Sequence, residues 1–280
     1  MHPRGAGVRA GGGGAGPGRR RGCGVCHSDV AGIMNMTGSR PSGVPVVPGH
    51  EVVGRIDALG EGVCGWRVGQ RVGLGYLGGH CGVCAMCRRG DFVYCTDQPM
   101  LGDSHRGGYA EYVTARASGL VAVPEDTPAA ELAPLTCAGL TVHHSLITSA
   151  ACTGDLVAVQ GVGGLGHLGI QYARAMGFRV AAIARGRDKK ELALKLGAHH
   201  YIDSTASDPA QALQELGGAK VVLATAGSGA SMSPLIGGLA VRGQLVVVGE
   251  ALEVLPQSPH RPILPTVLNV PMGGFNIVAS

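Results

Sequence analysis

A chain of 280 residues, 45% of them hydrophobic, can bury a large core and reaches the size at which one core usually divides into two domains. Its formal charge of +4 misleads, because Arg4, Arg9, Arg19, Arg20 and Arg21 fall in the first 22 residues, which hold no acid; the rest carries 18 Lys and Arg against 19 Asp and Glu. A near-neutral body removes the charge argument for a nucleic-acid or anionic-membrane partner, and no apolar run approaches the roughly 18 residues that cross a bilayer.

Residues 1–22 are rich in Gly, Arg and Ala, lack periodicity and carry almost no large apolar side chain, so they are expected to form a disordered head. An organellar transit peptide fits less well, since Ser and an amphipathic face are missing. From residue 23 to 136 the sequence favours short strands joined by tight turns, at 51–56, Arg71–Leu74 and 108–113, which gives a mostly β domain. Residues 133–147 lack strand alternation and read as helix, with Pro134 limiting where it can begin. Over 137–255 strands at Leu156–Gln160, Arg179–Ala184, 201–202, 220–224 and 244–248 alternate with helices at 165–176, 188–196, 209–216 and 232–240. Continuous apolar strands separated by helices imply an α/β domain with a doubly wound parallel sheet, a Rossmann arrangement. The segment 256–280 is an atypical tail with a sixth strand expected at 275–279.

Nine cysteines without a secretory apolar segment point to reduced thiols or metal ligands and to a cytoplasmic compartment. Cys81, Cys84, Cys87 and Cys95 lie within fifteen residues as C-x2-C-x2-C-x7-C, a spacing that suits a closed tetrahedral zinc site of the structural kind. Cys23, Cys64 and Cys152 fit no ligand pattern and read as buried thiols; His80 reads as a loop residue, and His143-His144 and His199-His200 as surface or capping pairs.

A lone G-x-G-x-x-G is weak in so glycine-rich a chain, but here Gly161, Gly163, Gly164, Leu165 and Gly166 follow a strand and open a helix, the context in which backbone N–H groups meet a pyrophosphate. An acid that would bind the ribose hydroxyls of NAD(H) is missing where the second strand ends, in Ala184-Arg185-Gly186-Arg187-Asp188-Lys189. Arg185, Arg187 and Lys189 stand there instead and suit a 2′-phosphate, so NADP(H) is favoured over NAD(H), with a solvated basic turn as the alternative.

The segments Gly24-Val25-Cys26-His27-Ser28-Asp29, Val47-Pro48-Gly49-His50-Glu51 and Cys137-Ala138-Gly139-Leu140-Thr141, in that order around the four-cysteine run and the glycine loop, resemble the zinc-dependent alcohol dehydrogenases of the medium-chain dehydrogenase/reductase family. The resemblance covers roughly residues 23–250. It implies a GroES-like catalytic domain followed by a Rossmann domain, and two zinc ions per chain. Cys26, His50 and Cys137 would be the ligands of the catalytic zinc, two thiolates and an imidazole with an open fourth position. Glu51 would lie behind that metal, Asp29 would orient His50, Ser28 would take the alcohol proton, His27 would lie near the cofactor phosphates and Thr141 beside the nicotinamide. Tyr76 and Leu77 line the substrate pocket or belong to the core. The expected partner is a small alcohol or aldehyde, and the expected assembly a homodimer or homotetramer paired through the sixth strand. Ala31 stands where many members carry a relay histidine, and the family's strands before Cys26 and its return after about residue 250 are not recognisable. A truncated relative that binds zinc or nucleotide without turnover is therefore the alternative reading.

Overall fold

The computed structural model describes residues 5–9, 21–36, 41, 43–249, 266–270 and 274–278 and divides into two compact units, Met1–Cys137 and Ala138–Ser280.

The first unit is built on a six-stranded antiparallel sheet. Its elements in chain order are β1 (Gly5–Arg9), β2 (Gly22–Cys23), α1 (Ser28–Met34), β3 (Val52–Leu59), β4 (Arg71–Leu74), α2 (Ala85–Arg88), β5 (Tyr112–Arg116), β6 (Leu120–Ala122) and α3 (Ala129–Leu132). The sheet runs β5-β1-β3-β4-β6, with β2 also paired to β3. Ala6 and Val8 on β1 join Val52, Ile56, Val72, Leu74, Val113 and Leu120 in one apolar cluster. This corrects the expectation of a disordered head for Gly5–Arg9 and for Gly22, which begins β2; the rest of 1–20 lies outside the described residues. The composition averaged over 22 residues concealed a short alternation in which only Ala6 and Val8 point inward. Hydrogen bonding to β3 on one side and β5 on the other then offsets the ordering entropy of so glycine-rich a strand. The third expected strand begins at Tyr112 rather than 108, because the Gly107 and Gly108 N–H groups are engaged in a turn with the carbonyls of Val47 (2.6 Å) and Gly49 (2.7 Å).

The helix expected over 133–147 is broken. A 3-10 turn, Ala133–Thr136, ends at Cys137, whose φ of −131° and ψ of −77° leave helical space; α4 (Ala138–Ile147) follows. Pro134 sits in the first turn of this stretch, where a missing N–H is tolerated, so the break falls at the backbone of Cys137 and not at the proline.

The second unit continues with β7 (Leu156–Gln160), α5 (Gly164–Ala175), β8 (Arg179–Ala184), α6 (Lys190–Lys195), β9 (His200–Asp203), α7 (Pro209–Glu215), β10 (Ala219–Ala224), α8 (Gly229–Met232), β11 (Leu239–Val247), β12 (Thr266–Val270) and β13 (Gly274–Val278). The five strands β9-β8-β7-β10-β11 are parallel neighbours. Alternate residues feed two separate apolar layers: Ala158, Ile183 and Val222 on one face, and Val157, Val159, Val180 and Leu223 on the other. This two-sided burial is why the strands read as unbroken apolar runs.

Two expectations change here. The helix at 232–240 is a short α8 followed by a 3-10 stretch, Ser233–Gly238, since Pro234 and the pair Gly237-Gly238 do not sustain an α-helix, and β11 already begins at Leu239. The strand near 275–279 is β13, antiparallel to β11 and flanked on its other side by β12, so it is neither a sixth parallel strand nor the sheet edge. Three residues separate β12 from β13, a link that suits a hairpin and is too short for a parallel crossover. Among the described residues no helix is long and apolar enough to cross a membrane.

Candidate metal centre and nucleotide pocket

Three side chains distant in sequence meet in the first unit. Cys26 precedes α1, His50 precedes β3 and Cys137 closes the 3-10 turn; one ligand atom of each lies within 4.8 Å of the others. The Cys26 and Cys137 sulfurs are 4.0 Å apart. Two thiolates sharing one tetrahedral zinc at ~2.3 Å would stand about 3.8 Å apart, whereas a disulfide needs about 2 Å. The donor set therefore fits zinc. His50 supplies the independent observation: its Nδ1 is 3.1 Å from Asp29 Oδ1, while its buried Nε2 has no hydrogen-bond partner. A buried ring nitrogen left so costs about 1–3 kcal/mol, which a metal bond at that atom would remove.

Asp29, buried in α1, fixes this geometry. Its Oδ1 also accepts from the Gly49 N–H (3.0 Å), and its Oδ2 accepts from the Cys26 N–H (3.0 Å) and the Tyr109 hydroxyl (2.6 Å). One carboxylate thus ties together the segments carrying two ligands and sets the His50 tautomer. Gly49 is required between them: at φ of +97° a side chain is strained, and a Cβ would lie 2.6 Å from the Tyr109 ring and 2.9 Å from the Cys23 sulfur. Tyr109 was missed in the sequence, and no local signal could have found it 80 residues from Asp29. Tyr76 packs edge-on to the His50 ring (5.4 Å) and donates to the buried Asp103 (3.2 Å), so it supports the ligand. Glu51 is buried, and a Cβ on Gly24 would overlap its carboxylate. Ser28 Oγ lies 3.0 Å from the Cys26 sulfur, and His27 is exposed at the start of α1.

The metal-free site has an uneven proton distribution. The Cys137 thiol, hydrogen-bonded to Cys26, holds Cys26 far below the usual thiol range, at about 3, against the opposing effect of burial. Cys137 is correspondingly pushed up, first by the Cys26 thiolate and then by burial. Burial works against the charged form of His50, but Cys26, Asp29 and Glu51 outweigh it and its pKa is raised.

Cys81, Cys84, Cys87 and Cys95 form a second cluster, again with ligand atoms within 4.8 Å of one another. The Cys81 and Cys87 sulfurs are 3.9 Å apart. Backbone N–H groups of Cys84 and Cys87 donate to the Cys81 (3.3 Å) and Cys84 (3.4 Å) sulfurs, and that of Cys81 to Cys95 (3.3 Å), contacts that stabilise thiolate charge. Arg116 pairs with Asp97 (2.7 Å) at the edge of the lobe. His80 stacks on Phe92 (4.1 Å) and is no part of the cluster. Cys64 and Cys152 are exposed, which corrects their reading as buried thiols: each lies in an irregular segment outside the strands and helices that build the cores.

In the second unit a cavity of about 1100 Å³ lies at the carboxyl ends of the parallel strands. Gly161, Val162 and Gly163 line it, and Gly164 opens α5 with Leu165 and Gly166 in its first turn. Gly161 has φ of +91°, and a Cβ on Gly166 would overlap the Gly161 carbonyl, so these two glycines permit the tight turn and the close approach of helix to strand. Arg185, Lys189 and residues 204–207 line the far side. Arg187 is not among the lining residues; its charge acts on Asp203 instead. Thr141 is half-buried on α4.

The first, antiparallel unit thus carries one cluster of two cysteines with a histidine and another of four cysteines, and the second unit has Rossmann topology. The model of the alcohol dehydrogenase GroES-like domain matches residues 19–125, and that of the zinc-binding dehydrogenases matches 164–270. The chain belongs to the zinc-dependent alcohol dehydrogenases of the medium-chain dehydrogenase/reductase family. It is 48% identical over 226 residues to alcohol dehydrogenase patD of Aspergillus clavatus, an alignment covering 81% of this chain and 58% of that one. To an alcohol dehydrogenase of Geobacillus stearothermophilus it is 39% identical over 94% of its own length and 75% of the relative's. Among solved structures, the alcohol dehydrogenase of Aeropyrum pernix superposes with a TM-score of 0.75 at 31% identity, covering 90% of this chain and 71% of that one. The CAD protein of Helicobacter pylori, crystallised with NADP(H), superposes at 0.71 with 26% identity, covering 89% and 69%. The chain thus spans under two thirds of the length of the fungal relative.

Proposed function

We propose that this protein is a zinc-dependent alcohol dehydrogenase that interconverts an alcohol with its aldehyde or ketone, using NADP(H) in preference to NAD(H). The convergence of Cys26, His50 and Cys137 around the unpartnered Nε2 of His50 carries this reading. Bound there, zinc would supply Lewis-acid stabilisation of an alkoxide, and the nicotinamide would accept the carbinol hydride. Asp29 holds the His50 ring through Nδ1, which leaves Nε2 available to a metal, and Ser28 Oγ, beside Cys26, would receive the alcohol proton. Glu51 adds a buried negative charge near the cluster, and Thr141 and His27 would meet the cofactor. The lobe cysteines would hold a second zinc with no open position.

The names of the relatives support the substrate class: the fungal and Geobacillus proteins are alcohol dehydrogenases, and a Synechocystis relative at 38% identity is an aldehyde reductase. Arg185 and Lys189 at the cavity support NADP(H), the one acid among the lining residues, Asp208, being engaged as the N-cap of α7, and so does the NADP(H) complex of the Helicobacter neighbour. The proposed assembly is a homodimer or homotetramer, checked by light scattering. The activity test follows reduced-nicotinamide absorbance with the zinc-loaded protein across short, branched and aromatic alcohols and aldehydes. Turnover with NADP(H) is expected. Full zinc occupancy with no turnover on any of them would instead identify a binding protein.

A further inference from the structure

The turn at the end of β8 is held by two side chains of the neighbouring strand. Tyr201 and Asp203 are two residues apart on β9 and so project to the same face. Both reach Gly186, one on each of its polar backbone groups: Asp203 Oδ1 accepts from the Gly186 N–H (2.8 Å), and the Tyr201 hydroxyl donates to the Gly186 carbonyl (2.7 Å). The same Asp203 oxygen accepts from the Thr205 N–H (2.9 Å) and hydroxyl (2.7 Å). Gly186 has φ of +71°, a left-handed conformation that glycine adopts at no steric cost. With the peptide groups on both sides of Gly186 fixed, the direction in which Arg185 leaves β8 and the path to Lys189 are fixed too, and both of these cations line the cavity. Asp203 is not among the lining residues, and one of its oxygens is engaged three times. It is therefore not placed as the acid that would bind ribose hydroxyls.

We propose that Asp203 and Tyr201 are positioning residues for coenzyme choice: by clamping Gly186 from both sides they hold Arg185 and Lys189 where the 2′-phosphate of an adenosine ribose would be bound. The inference rests on the NADP(H) reading above and adds to it the residues that make the basic turn selective.

Calorimetric titration of the full chain with 2′,5′-ADP and with 5′-AMP separates the two, because it needs neither zinc nor turnover. Wild type is expected to bind 2′,5′-ADP more tightly. Tyr201→Phe and Asp203→Ala should each weaken 2′,5′-ADP binding about three- to tenfold, the worth of one or two hydrogen bonds, and leave 5′-AMP within about twofold. The sign for Asp203→Ala is diagnostic, since removing a negative charge would on Coulomb grounds alone tighten phosphate binding. Asp203→Asn, which keeps an acceptor oxygen, should restore the wild-type ratio. An unchanged ratio in both Tyr201→Phe and Asp203→Ala, or an equal loss for both ligands, overturns the positioning role. If wild type itself shows no preference for 2′,5′-ADP, the NADP(H) reading fails first and this inference with it.

Discussion

Asp29 receives hydrogen bonds from two backbone N–H groups and a tyrosine hydroxyl while facing His50 Nδ1, so one side chain reaches both the Cys26 segment and the Gly49-His50 segment of the metal centre. In Asp29→Asn the amide nitrogen cannot accept from Cys26 or Tyr109. Zinc affinity at the Cys26 site, followed by competition with a chromophoric chelator, is expected to fall about 10–100-fold, with the lobe metal retained. The same titration carries a pH dependence with a defined sign. The Cys137 thiol, pushed up by the Cys26 thiolate and by burial, holds a proton near neutrality that zinc must displace, and the raised pKa of His50 acts in the same direction, whereas Cys26, at about 3, gives up none. Affinity should therefore drop as pH falls, by about tenfold per unit for each proton displaced, and a pH-independent affinity would contradict this proton distribution.

At the scale of single elements, β1 gives the sharpest test. Val8 is fully buried between β3 and β5, so Val8→Ala is expected to lower the unfolding free energy by about 1–3 kcal/mol in urea titration. A change within error would return Gly5–Arg9 to the status of an unattached head. The break at Cys137 is a second local event with a consequence for chemistry. A continuous helix through 133–147 would have placed this thiol on a helix face, and the non-helical φ and ψ instead turn it toward Cys26. In β9, the alternation of a strand puts Tyr201 and Asp203 on one side, so a two-residue spacing becomes a clamp on the neighbouring turn.

Taken as a whole, the chain should bind two zinc ions, one at each cluster. Elemental analysis of Cys26→Ser and of Cys87→Ser is expected to show one zinc in each. Loss of thermal stability should be larger for Cys87→Ser, because a four-thiolate site organises a lobe with little apolar core of its own. One zinc in the wild type would remove one of the two centres. The four lobe cysteines were legible from their spacing, and the glycine loop from its spacing together with the strand before it and the helix after it, because in both cases the residues are close in sequence. So were the central parallel strands β7, β8 and β10, because burial on both faces leaves an apolar run in each, whereas the outer strand β9 shows only Tyr201 and Ile202. The roles of Cys26, His50 and Cys137 came only through likeness to a family, since the two cysteines are 111 positions apart and no periodicity links them. β1 was hidden by its glycine-rich surroundings. What the sequence determined by itself was the succession of local structures and the donor atoms available. The tertiary fold decided which donors come together, that Tyr109 and Asp29 support them, and which of the basic residues line the cavity at the strand ends. Those outcomes depend on contacts between segments far apart along the chain, which become definite only when the sheet and the loops it carries are packed.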